Sequence, residues 1–108
     1  MNPRSKLERR KDQRISTPNG LWVSWKHDKD ATVSRVQDFS ASGAFIAAEE
    51  TVAAGARLKL LFSVPEGEIK VQAVVRTALA GKGMGVEFVA LEEKESQLIL
   101  KVAKRLTK

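Results

Sequence analysis

The sequence predicts an all-β domain: a six-stranded antiparallel β-barrel with a C-terminal α-helix, preceded by a flexible basic arm. Three observations carry this expectation. Short runs of alternating apolar and polar residues follow one another between residues 21 and 90. Turn-forming clusters separate these runs at hairpin-like spacings. After residue 91 the apolar spacing changes from a strand period to a helix period. Six short strands on hairpin connections can bury their inner faces by closing into a small barrel, with the helix covering one opening or face. At 108 residues the chain suffices for one domain with a modest core. Its expected parts are an arm over 1–14, a barrel over 15–90 and a helix over 91–106.

Residues 1–14 have no apolar periodicity, and STPNG at 16–20 is a cluster of turn residues. LWVSWKH at 21–27 alternates, with Leu21, Val23 and Trp25 on one face, and HDKD at 27–30 is a polar turn. TVSRVQD at 32–38 is rich in β-branched residues and reads as the second strand. DFSASG interrupts the pattern before the third strand, GAFIAAE at 43–49. TVAAGA at 51–56 is a connection. RLKLLFSV at 57–64 then alternates, with Leu58, Leu60 and Phe62 inward. PEGE at 65–68 turns the chain into a long strand over 68–80, with Ile69, Val71 and Ala73 inward and a bulge near Val74 and Val75. AGKG at 80–83 is a hairpin turn, and MGVEFVA at 84–90 is the sixth strand. In the tail, Glu92, Glu93 and Glu95 come early and Lys101, Lys104 and Arg105 late, the order a helix dipole favours.

Composition narrows the chemistry. The chain has no cysteine, so it has neither disulfides nor a thiolate metal site. Its one histidine, His27, sits in a polar turn with no nucleophile pattern around it, so no enzymatic activity is expected. Asp28 and Asp30 lack the glycine and distal glutamate of a calcium loop, and no metal or cofactor is expected. No apolar run approaches the ~18 residues of a membrane helix. The first residues have no apolar stretch of a secretory signal, which makes a reducing cytoplasm the simplest compartment.

The net charge of +6 is unevenly placed. Residues 1–14 hold six bases and two acids, residues 15–91 hold eight of each, and residues 92–108 hold five bases and three acids. An excess concentrated in the arm points to an anionic partner there. Arg10 and Arg14 stand four apart beside Arg9 and Lys11. The guanidinium fork suits phosphate oxygens and the O6/N7 edge of guanine, and its flat face stacks on purines. The same run also reads as a solvated stretch of charge. In DFSASG, Asp38 can accept from the N1–H and N2–H₂ groups of guanine, Ser40 can donate or accept, and Gly43 permits close backbone approach or a positive φ. Here too a plain turn is an alternative.

The two stretches gain meaning as a pair. RxxxR at Arg10–Arg14, followed some two dozen residues later by DxSxxG at Asp38–Gly43, resembles the two signature motifs of the PilZ domain family. GMGVEF at 83–88 and the acid-led helix look like the family's C-terminal part, so the resemblance covers residues 8–106. It implies a PilZ-like split barrel that binds the bacterial second messenger cyclic di-GMP. It assigns guanine-edge, stacking and phosphate contacts to Arg10 and Arg14, and polar contacts to one guanine and its attached backbone to Asp38 and Ser40. Gly43 becomes the position that keeps the barrel surface open. Arg9, just before the motif, implies a stacked pair of ligand molecules rather than one. The arm would order on binding and signal to an unidentified downstream protein, with motility and biofilm control as family-level expectations. The competing reading is a small basic barrel that binds RNA or single-stranded DNA; its one outward aromatic candidate, Trp22, is instead expected to pack under the helix. A third reading is an interaction module that responds to no ligand.

Overall fold

The computed structural model describes residues 15–16 and 21–106. Among the described residues, seven strands and one helix follow in order: β1 (Ile15–Ser16), β2 (Trp22–His27), β3 (Asp30–Phe39), β4 (Gly43–Ala47), β5 (Arg57–Val64), β6 (Gly67–Leu79), β7 (Gly83–Val89) and α1 (Glu93–Leu106). Six strands form a ring in the order β3-β2-β5-β6-β7-β4, and β4 pairs back onto β3 to close it. Every pairing is antiparallel. Closure leaves none of the six with a free edge along its paired length, which removes the template for unwanted strand addition. The expected six-stranded barrel with a C-terminal helix is therefore the observed fold, and β1 is an addition to it. The expected arm over 1–14 lies outside the described residues.

Alternation places the core. Val23 and Trp25 of β2, Leu58, Leu60 and Phe62 of β5, Ile69, Val71 and Ala73 of β6, and Met84, Val86 and Phe88 of β7 all point inward and are buried. Phe39, Phe62 and Phe88, from three different strands, meet with ring centroids 5.7–6.2 Å apart. The Phe39–Phe62 and Phe62–Phe88 pairs are edge-to-face, a geometry that sets the positive ring edge against the negative face. Trp25 brings one polar atom inside, and its Nε1–H donates to the buried Ser34 hydroxyl at 3.0 Å.

Helix α1 adds Ile99 and Val102 to the same core, three residues apart on one face. It starts two residues later than the charge pattern suggests. Ala90 holds a left-handed backbone, φ 54°, which turns the chain out of β7 before the helix can form. At the far end, Arg105 Nε and Nη2 donate to the two carboxylate oxygens of Glu66, a bidentate clamp between α1 and the β5–β6 turn. That hydrogen bond holds the Glu66 carboxyl below its ordinary range.

One expectation is refined and one corrected. The irregularity in β6 falls between Val75 and Thr77, beside the expected Val74 and Val75, and displaces Arg76. Trp22 does not pack under the helix; it is 52% exposed on the outer wall, paired with Arg35 of β3. The physical reason is that α1 sends Ile99 and Val102 into the barrel core beside β6, leaving Trp22 on the outer face of β2 exposed.

Candidate functional site

The β3–β4 turn carries the second motif. Asp38 lies on β3, partly exposed, with Phe45 of β4 on one side and Ser16 of β1 on the other. The ladder slips between Val36 and Asp38, and this bulge shifts the register of the strand that presents the aspartate.

Strand β1 links the two motifs. It is only two residues long, Ile15 opposite Phe39 and Ser16 opposite Asp38. It takes up the edge of β3 beyond the point where β2, whose pairing stops at Arg35, leaves it. Ile15 directly follows Arg14, so the chain leaving RxxxR is tied by backbone pairing to the strand that bears Asp38. Arg9, Arg10 and Arg14 themselves lie outside the described residues.

Ser40 is fully buried. Its Oγ accepts from the backbone N–H of Ser42 at 3.3 Å and of Gly43 at 3.2 Å, and donates to the Gly43 carbonyl at 3.3 Å. The Ser40 N–H also donates to that carbonyl, at 2.9 Å. The hydroxyl is thus the internal brace of the turn, accepting from two of its backbone N–H groups. Ser40→Ala should cost about 1–3 kcal/mol, the penalty for leaving buried donors unmade. Thermal unfolding followed by circular dichroism reads this as a clear fall in Tm, and an unchanged Tm would remove the bracing role.

Gly43 has ordinary strand geometry, yet a Cβ built there would come 2.2 Å from the Val86 carbonyl oxygen of β7. The glycine lets β4 lie flat against β7 at the pair Gly43–Glu87. Beside it is a cavity of about 240 Å³ lined by Ser42, Gly43, Arg76, Thr77, Gly85, Val86 and Glu87. Two of these lining residues are bonded to each other, Arg76 Nε donating to Glu87 Oε1 at 2.7 Å. Neither residue belongs to the motifs. The signal that could have pointed to Arg76 is the β6 irregularity, since a bulge re-aims the side chain it displaces. Among the described residues, no group of three or more His, Cys, Asp or Glu side chains could hold a metal ion. No helix among the described residues is long and apolar enough to cross a membrane.

A family model described as PilZ domain matches residues 8–104. Solved structures share the fold at low identity. The PilZ domain of YcgR from Escherichia coli, solved with c-di-GMP, is 15% identical with a TM-score of 0.76, over 92% of each chain. The Klebsiella MrkH complex with c-di-GMP is 16% identical with a TM-score of 0.74, over 92% of this chain and 52% of that one. The Bacillus subtilis inhibitor of motility MotI/DgrA is 23% identical with a TM-score of 0.68, over 89% of this chain and 52% of that one. The protein thus spans about half the length of the MrkH and MotI chains. No curated protein sequence matches it.

Proposed function

Since the chain belongs to the PilZ domain family, we propose that it is a non-catalytic receptor for cyclic di-GMP, built from its RxxxR and DxSxxG motifs. The single observation that carries this reading is the pairing of Ser16 with Asp38. Backbone hydrogen bonding anchors the exit of the first motif beside the second, so both halves can reach one ligand. Arg10 and Arg14 supply cationic forks and stacking planes for the phosphates and guanine acceptor edges. Asp38 supplies the acceptor for a guanine donor edge. Ser40 and Gly43 act through the turn and the β4–β7 contact, which set where the Asp38 backbone lies. Arg9 favours a stacked pair of ligand molecules.

The charges agree. The ligand carries formal charge near −2, and residues 1–14 carry six bases against two acids. Fixing arm residues over the ligand costs roughly 1–2 kcal/mol each in backbone entropy. Charge-assisted hydrogen bonds, about 1.5–3 kcal/mol each, offset that cost. Arm closure then changes the surface offered to a downstream protein, which is the output of the receptor. Isothermal titration with cyclic di-GMP tests the reading: saturable heat near two ligands per chain is expected, weakened strongly in Asp38→Ala. An intact protein that gives no heat and no shift in Tm with the dinucleotide overturns it.

A further inference from the structure

A second surface lies on a different sector of the barrel wall, outside β2, β5 and β6. The register aligns Lys26 directly with Lys59 and Leu61 directly with Lys70, all on the outward face. These residues line a groove of about 500 Å³ between the wall and the segment entering α1, whose side carries Glu92 and Glu95. Lys26, Lys59 and Lys70 form no ion pair with any described residue. Two like charges directly opposite on a ladder repel. Across the groove, Glu95 Oε1 is buried without a hydrogen-bond partner. Next to the groove the wall is apolar. Val33 is 65% exposed opposite Ser24, and Trp22, two residues along β2, is 52% exposed.

We propose that this groove docks an amphipathic helix of a partner protein, apolar along the face laid on the wall and acidic along the flank that meets the lysines. Charge complementarity selects the acidic flank. The Glu92 and Glu95 carboxylates along the other side select a donor-bearing opposite flank and disfavour a polyanion such as nucleic acid. Closure of the barrel selects a helix over an added strand, because β2, β5 and β6 have neighbours on both edges. The inference goes beyond cyclic di-GMP binding and does not rest on it.

The test uses the full chain without dinucleotide. The probe is a blocked helical peptide of about 16 residues, with a leucine face, a glutamate flank and a lysine flank. Its controls are the same peptide with both flanks lysine, and with the leucines changed to serine. In ¹⁵N–¹H spectra the probe should saturably shift the amides of Ser24, Lys26, Val33, Lys59, Leu61 and Lys70, and neither control should. Lys59→Glu should weaken the probe at least about tenfold while keeping a wild-type spectrum, since it places like charges across the contact. Val33→Ser is the second variant and should weaken it by apolar loss alone. Equal binding of the all-lysine control, shifts confined to other residues, or tighter binding of single-stranded DNA at these amides would each overturn the proposal.

Discussion

Arg14→Ala is expected to lose cyclic di-GMP affinity by roughly 10²- to 10⁴-fold, as two charge-assisted hydrogen bonds of about 1.5–3 kcal/mol each disappear. Arg14 directly precedes Ile15 in the chain, so of the two motif arginines it is the closer in sequence to the β1–β3 pairing. Arg10→Ala acts one helical turn's worth of sequence farther from that anchor and should lose less. A lysine at position 14 keeps the charge but not the fork, and should recover only part of the loss. Calorimetric titration reads the affinity, and thermal unfolding without ligand reads the fold. Because the buried core is built from residues 21–102, the Tm of Arg14→Ala should match the parent. Affinity retained within about threefold, less than one hydrogen bond's worth, would place the anion contacts elsewhere.

The barrel was legible because its signals are local and repeated. LWVSWKH, RLKLLFSV and MGVEFVA each bury one alternating face, and the structure uses those faces. The helix was legible from its charge order and from Ile99 and Val102. Strand β1 was not legible. Two residues carry no period, and Ile15 and Ser16 become a strand only because β3 extends past β2 and offers them an edge. The outward exposure of Trp22 was equally hidden, since alternation says which face a residue shares but not whether a helix covers that face. The site divides in the same way. Asp38, Ser40 and Gly43 were singled out by motif; the motif does not say that Ser40 is buried and bonded within the turn, or that a Cβ at Gly43 would meet a β7 carbonyl.

The role of Gly43 leads to the second large effect. Gly43→Ala is expected to destabilise the fold by about 2–3 kcal/mol, because its methyl group has no room. The obstacle is the Val86 carbonyl oxygen, 2.2 Å from the new Cβ, and it belongs to backbone held in the β7 ladder. Strand β4 cannot swing aside, because it pairs with β7 on one edge and with β3 on the other and so closes the ring. A loss of that size lowers the Tm of so small a domain by roughly 10–20 °C. Below its transition Gly43→Ala should bind cyclic di-GMP poorly, because the Asp38–Phe45 pair shifts with β4. If Gly43→Ala instead kept its Tm and lost only affinity, the glycine would be clearing space for ligand and not for β7.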